Sequence, residues 1–514
     1  MISRVAAGTG PRLRYPPLRL AAAATVAAVA LIPLGYVVAA VVEVGGAGVV
    51  DLLWRPRVGE LLTNTVALVC LGMIACVVVA VGAAWLVERT DLPGRGWWTG
   101  LMAAPLAVPA FVNSFGWYSL APSLEGLGAA VLVTTLSYFP LVYLPVAAVL
   151  RGTDPAAEEM SRSLGVGPWA TFGRVVAPQL RPALLGGSLL VGLHLLAEFG
   201  ALQALRFDTF TTAVYDRFQS SFDGSSATML AAVLVVLCGV LLGGELLAGR
   251  GPTARVGSGS ARPPVRHRLG AARPAALAAM TALAVAAVGV PMGFIGYWLV
   301  VSTTTAFPVA ELAAAAGASI GLGLLAAVVT TALAFPVAWL VVRRPGRLSR
   351  VLERCTYVGS SLPGIVVALA LVTIGIRAVP VLYQSTAMLV VAYAVLFMPR
   401  ATVSLRAAFG QLPPAFEDVG ASLGAPPRAV IVRVTLPLAV RGLGAGAALV
   451  FLAVVTELTS TLLLAPIGTE TLATGFWSES TAIHYGAAAP YALLMVLISA
   501  PAAYLLTRRS GGTW

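Results

Sequence analysis

EEMSRSLGVGPWATFGRVVAP at 158–178 and EDVGASLGAPPRAVIVRVTLP at 417–437 are one segment written twice. An offset of 259 superposes Glu158 on Glu417, Glu159 on Asp418, and Ser163-Leu164-Gly165 on Ser422-Leu423-Gly424. It also places Arg174 on Arg433 and Pro178 on Pro437, and further out Pro140 on Pro399 and Glu198 on Glu457. Two copies in register divide the chain into halves at 1–248 and 274–514, joined by a segment at 249–273. Each copy opens with acidic residues after a proline (Asp154-Pro155, Pro413-Pro414), the signature of a helix start. Each carries a glycine, Gly165 or Gly424, where a left-handed residue ends such a helix. The expectation is two short helices with a bend, once per half.

Around these segments the chain is apolar. Of 514 residues 59% are hydrophobic and 11% charged, with a mean hydropathy of +0.90. A soluble domain carries about 25% charged residues, so this chain has too few to cover a water-facing surface. The apolar residues come in blocks of about 20, the length a helix needs to cross a bilayer. Lipid satisfies no backbone group, so the blocks are helices rather than open sheet. The fold class expected is all-α integral membrane, with twelve transmembrane helices in two tandem six-helix repeats. The spans fall near 20–42, 62–87, 99–119, 128–150, 183–203 and 226–248, then 274–301, 312–342, 355–376, 385–405, 441–464 and 487–507. Six spans per half is an even number, so both halves insert in the same sense about a pseudo-two-fold axis along the membrane normal.

The net charge is +12 and all 33 basic residues are Arg. Arg4, Arg12, Arg14 and Arg19 precede the first apolar run, which mimics a signal peptide but is too long for its apolar region and lacks a clear cleavage site. With the N-terminus in the cytoplasm, only Arg55, Arg57, Arg206, Arg217 and Arg377 fall on the outer side. The asymmetry places both termini in the cytoplasm. The segment 249–273 holds six arginines and no acid among Gly, Pro and Ser, and reads as a flexible cytoplasmic linker. This charge is explained by topology and by attraction to an anionic lipid bilayer, not by nucleic acid. The four cysteines sit in or at the edge of apolar blocks as small packing residues, which argues against disulfides and metal.

The remaining polar residues of interest lie within or beside spans. Glu198 and Glu457 sit toward the outer part of the fifth and eleventh spans, where an acid is costly unless it faces a cavity or partner. His194 precedes Glu198 by four residues and shares its helix face. These three are candidates for a translocation path, with a hydrogen-bonded structural pair as the plainer account. Trp477, Glu479 and His484, with Glu470, lie in the last outer loop as a candidate gate or partner contact, or as ordinary interfacial residues.

Glu159-Met160-Ser161, then Gly165, then Pro178 resembles the EAA loop of ABC-importer permeases, whose pattern runs E-A-A, three residues, G, and later L-P. Asp418-Val419-Gly420, Gly424 and Leu436-Pro437 form the second copy; both depart from the pattern in the small residues, and the second has Asp for Glu. EFGALQALRFDTFTTAVY at 198–215 and ELTSTLLLAPIGTETLATGFW at 457–477 are similar to segments of the fused two-half ferric iron permeases. The resemblance implies a type I importer permease in which one chain supplies both halves. It implies two copies of a cytoplasmic ABC ATPase docked on the two loops, and an extracytoplasmic substrate-binding protein. Glu158, Glu159, Gly165, Arg174, Pro178, Glu417, Asp418, Gly424, Arg433 and Pro437 would form the ATPase-coupling loops, with Glu159 and Asp418 pairing basic groups of the ATPase. Close relatives import thiamine, phosphonate, polyamines and sulfate on the same scaffold, so the cargo stays open among these and iron. No cofactor is expected on this chain: a phosphate-binding loop needs a Lys, and there is none, so ATP belongs to the partner.

Two other classes compete. An ion-coupled secondary transporter also has parallel six-helix repeats, but ERTDLPGRG at 88–96 lacks its inner-loop signature and the duplicated loops would be idle. A membrane-embedded transferase needs clustered outer acids, and Glu470 and Glu479 are too sparse.

Overall fold

Blocks of apolar residues become helices in the computed structural model, which describes residues 17–152, 155–219, 224–248, 266–301 and 308–511. Arg4, Arg12, Arg14, Asp154 and the linker stretch 249–265 lie outside the described residues. Among the described residues the only β pairing is an isolated bridge, Thr90 with His267. Among the described residues eight helices are long and apolar enough to cross a bilayer, and three further candidate spans are helix pairs bent at a break, giving up to eleven. The twelfth expected span, 487–507, falls in the helix Tyr485–Gly511, whose described apolar stretch Tyr485–Pro501 is shorter than the others.

The bent pairs correct two expected spans. Instead of one helix over 99–119, Arg95–Ala107 and Ala110–Leu120 meet at 96°; instead of one over 355–376, Arg347–Gly359 and Gly364–Arg377 meet at 94°. The cause is the same in both halves. Pro109 and Pro363 stand before the second helix with φ −57° and ψ near 145°, outside the helical region. Proline donates no backbone hydrogen bond and forces the residue before it out of the helical basin, so the first helix stops there. The segment at 128–150 is also two helices, Gly126–Tyr138 and Pro140–Gly152, bent by 43° at Pro140. The fifth and eleventh spans end earlier than 203 and 464. Their helices stop at Ala197 and Val455, and short helices Gly200–Ala204 and Thr459–Leu464 follow.

The duplicated segment folds twice alike. Helices Ala156–Ser163 and Ala415–Ser422 each end in a left-handed glycine, Gly165 at φ 76° and Gly424 at φ 81°. Val166 N–H donates to Ser161 O and Gly165 N–H to Arg162 O; Ala425 N–H donates to Gly420 O and Gly424 N–H to Ala421 O. This double bond closes the last turn at a position glycine occupies without strain. One wide turn follows in each half, Phe172–Val176 and Ile431–Thr435. Pro178 and Pro437 lack the N–H that would bond four residues back, and the local switch to five-residue spacing accommodates that.

The two halves are interlocked by their first helices. Ala23, Val26 and Ala27 of the first helix join the core of the second half, while Ala276, Met280, Ala284 and Ala287 of the seventh span join the core of the first. A third cluster is built from both halves, with Phe111, Phe115 and Phe199 against Phe476 and Trp477. Glycines set the crossings: a methyl group built on Gly116 would lie 2.5 Å from Pro291 Cα, and one on Gly359 would lie 2.5 Å from Ala30 O.

Gly116→Leu therefore forces the seventh span off the first half. We expect a loss of about 1–3 kcal/mol from overpacking, read as a lower thermal unfolding midpoint of the purified chain. Gly128→Ala, where nothing stands within 4 Å, does not lower the midpoint.

Candidate functional site

The adjacent acids that open each duplicated segment point in different directions. Glu158 is buried, and its Oε1 accepts from Arg89 Nη2 at 2.7 Å, with the two side chains 2% and 0% exposed. Glu417 accepts from Arg343 Nε at 3.1 Å and lies 3.0 Å from Nη2, with side chains 19% and 9% exposed. Arg89 and Arg343 are each the last residue of a membrane-length helix, Pro56–Arg89 and Val309–Arg343. The first acid of each elbow is thus latched to the end of the second long helix of its own half. The second acid, Glu159 or Asp418, is exposed. A helix carries neighbouring residues about 100° apart around its axis, so one of an adjacent pair faces in and the other out.

Each latch has local support. In the first half Ser161 Oγ lies 2.9 Å from Thr171 Oγ1, tying the two elbow helices together. In the second, Arg343 Nη1 also donates to Leu412 O at 3.0 Å, and Thr435 Oγ1 donates to Glu417 Oε1 at 3.3 Å. Arg174 and Arg433 are exposed on the wide turns, and Pro178 and Pro437 are exposed in the first turn of the helices that follow them. Exposed apolar residues crown both elbows at matching positions, Met160 and Leu164 in one, Val419 and Leu423 in the other.

The end of the expected linker is docked rather than free. His267 pairs with Thr90 in the bridge, stacks on Trp85 with ring centroids 5.6 Å apart, and meets Arg162 Nη2 at 3.4 Å. Burial and the Arg162 guanidinium hold its pKa below the ordinary histidine value. Together with Glu158, Trp85 and Phe172 it borders a cleft of about 590 Å³. Among the described residues the strap reaches the first elbow only.

At mid-depth the two helix breaks come together. Gly200 is so close to Phe111 and Leu458 that a methyl group there would lie 2.8 and 2.9 Å from their side chains. Glu198 Oε1 accepts from Ala201 N–H at 3.0 Å and its Oε2 accepts from the Tyr138 hydroxyl. Glu457 Oε1 accepts from Ser460 N–H at 3.0 Å and sits against Gly364, where a methyl group would lie 2.9 Å from it. Both carboxylates cap the short helix that follows them, satisfying an N–H that the break leaves unpaired. His194 bonds Leu190 O at 2.8 Å and packs on Tyr138 rather than pairing with Glu198. Arg400 of the helix Thr386–Gln411 lies within electrostatic reach of both His194 and Glu457, with its guanidinium 5.1 Å from the Phe397 ring centroid. Tyr138, His194, Glu457 and Arg400 all retain accessible surface although they stand deep between the halves, so they face an internal cleft.

Of the expected last-loop residues, Trp477 is buried in the helix Leu472–Thr481, its ring 5.2 Å from that of Phe199 next to Glu198. Glu479 and His484 pair with each other at 3.1 Å on the surface. The structure thus joins Trp477 to the central breaks and leaves the other two apart. Sequence reading missed Arg89, Arg343, Tyr138 and Arg400. The first two carried a signal: each ends the second long apolar run of its half. Arg400 carried one too, as a charge inside an expected span next to the repeated Pro399.

A family model described as binding-protein-dependent transport system inner membrane component matches residues 78–244 and again 319–508, one elbow in each match. The Fe(3+)-transport system permease protein FbpB 2 of Haemophilus influenzae is 37% identical over 481 residues, 93% of this chain and 95% of that protein. The sulfate transport system permease protein CysT of Escherichia coli is 28% identical over 41% of this chain and 84% of its own length. The molybdenum transport system permease protein ModB of Escherichia coli is 26% identical over 31% of this chain and 79% of its own length.

Glu158→Ala strands the Arg89 charge in an apolar surround, and we expect a loss of about 3–5 kcal/mol, read by denaturant unfolding. Glu417→Ala costs less, because its pair is more exposed. Limited proteolysis should cut the first elbow faster in Glu158→Ala than in the wild type.

Proposed function

The chain belongs to the family of binding-protein-dependent transport system inner membrane components, and from that premise we propose that it is the membrane-spanning permease of an ABC importer for ferric iron. The observation that carries the coupling is the split acid pair, latched inward at Glu158 and Glu417 and free outward at Glu159 and Asp418. An outward acid on a short helix crowned by exposed apolar residues suits a groove on a partner protein. Two elbows call for two copies of a cytoplasmic ATPase, which bind the ATP. An extracytoplasmic binding protein delivers cargo to the opposite face. The arginine-rich end that bears the elbows lies in the cytoplasm of a bacterial cell, with both termini on that side.

Coupling then follows from the latch. When the ATPase dimer closes, it moves the elbows, and each elbow is joined by an ion pair to a helix of 34 or 35 residues. The displacement is carried along that helix to the breaks at Glu198 and Glu457. The halves rock between two packings around a fixed site, which is how one cleft opens alternately to each side. Iron is favoured over sulfate or molybdate because the likeness to the iron permease runs through both halves at higher identity.

Replacing Glu159 and Asp418 together by Lys should abolish co-purification of the ATPase while membrane insertion and unfolding midpoint stay at wild-type values. Gly165→Pro with Gly424→Pro should also abolish ATPase association while leaving membrane insertion intact, because proline cannot adopt the left-handed turns. Cells lacking the chain should lose uptake of radioactive ferric iron and regain it with the wild type. Normal ATPase association in the double-Lys chain would sink the coupling assignment, and unchanged iron uptake in the deletion would sink the cargo.

A further inference from the structure

The polar centre between the halves contains two acids, one histidine and one arginine, and only the arginine is uncommitted. Glu198 accepts from Tyr138 and Ala201 N–H, and Glu457 accepts from Ser460 N–H. Among the described residues the Arg400 guanidinium makes no hydrogen bond and no direct ion pair; it stands over the Phe397 ring, with Glu457 in longer electrostatic reach. Arg400 stands 14 residues from Thr386 and 11 from Gln411, roughly 21 and 16 Å along the helix at ~1.5 Å per residue. That is bilayer depth at the interface of the halves, where an unpaired charge is costly and persists for function. The offset of the repeat puts Leu141 at the matching place in the first half. The charge is therefore absent from the duplicated scaffold and specific to one side of the cleft.

We propose that Arg400 forms an oxyanion-binding site in the translocation cleft, so that the cargo passes with anionic oxygens facing the guanidinium. Five N–H donors in a planar fork match two oxygens of a phosphate, sulfate or carboxylate at once. A bare multivalent cation in the same cleft meets the guanidinium charge, while the acids that would attract it already accept from helix N–H groups. The oxyanion is either free or held as a ligand on ferric ion; the second form rests on the iron reading above. His194, across the interface, is the second donor in reach of the same anion once its ring turns from Leu190 O.

The full-length chain in lipid nanodiscs is mixed with radiolabelled phosphate, sulfate or citrate, each with and without ferric ion, and bound label is counted after rapid gel filtration. Wild type should bind at least one of these probes saturably. Arg400→Met should bind at least tenfold more weakly at an unchanged unfolding midpoint, and Arg400→Lys should fall between, keeping the charge but losing the fork. If Arg400→Met melts early, Arg400→Gln carries the same reading. Preference for the ferric form identifies a metal-borne anion; equal binding identifies a free one. Undiminished binding by Arg400→Met, or no saturable binding of any probe by the wild type, overturns the site. Uptake of radioactive iron in cells separates the two claims. Wild-type uptake equalled by Arg400→Met overturns the site and leaves the iron cargo standing. No uptake by wild type, with Arg400-dependent oxyanion binding intact, overturns the cargo and leaves the site.

Discussion

The buried ion pair between the end of a membrane-length helix and the start of an elbow is the constraint on which the rest hangs. Arg89 holds Glu158 and Arg343 holds Glu417. An elbow of eight residues is too short to be a stable helix alone. Its position comes from the latch and the turn closed by Gly165 or Gly424. Because the charge pair is desolvated, either partner left alone would be costly, so the elbow and the long helix move as one body. That joins a surface element to the centre of the membrane without a chain of intervening contacts.

At the far end of that body the helices are deliberately incomplete. Proline at 109 and 363 stops a span and turns the chain through nearly a right angle. The fifth and eleventh spans stop at Ala197 and Val455, and the freed N–H groups are taken by Glu198 and Glu457. Broken backbone is tolerated at this depth only when it is buried in protein or lines a cavity. Here it is buried in protein, since the breaks of the two halves meet across Gly200 and Leu458. Exchange of the first helices between halves ties the two cores together.

The duplication is close in the backbone and loose in the charges. Turns, caps, breaks and latches occur twice. The docked strap at His267, the His194 ring and the Arg400 guanidinium occur once. On the proposed reading, a symmetric scaffold carrying an asymmetric cleft would let the same coupling serve different cargoes, because the elbows and the cleft share no residues.

The sequence alone determined what depends on local pattern. Apolar block length made the chain an all-helical membrane protein, proline and glycine placement made the elbows, and comparison of the chain with itself found the halves and the recurring acids at 158–159, 198, 417–418 and 457. It left each acid's partner undecided, because Glu158 meets a residue 69 positions away and the approach depends on how whole helices pack. It read Glu198 and Glu457 as residues of spans, whereas they cap helices after a break, since length and hydropathy do not register a missing hydrogen bond. Only the tertiary structure turned Glu159 and Asp418 outward, sank Trp477 beside Phe199, and left the Arg400 guanidinium without a hydrogen bond among the described residues. Burial and pairing are properties of the assembled bundle, and no stretch of chain carries them by itself.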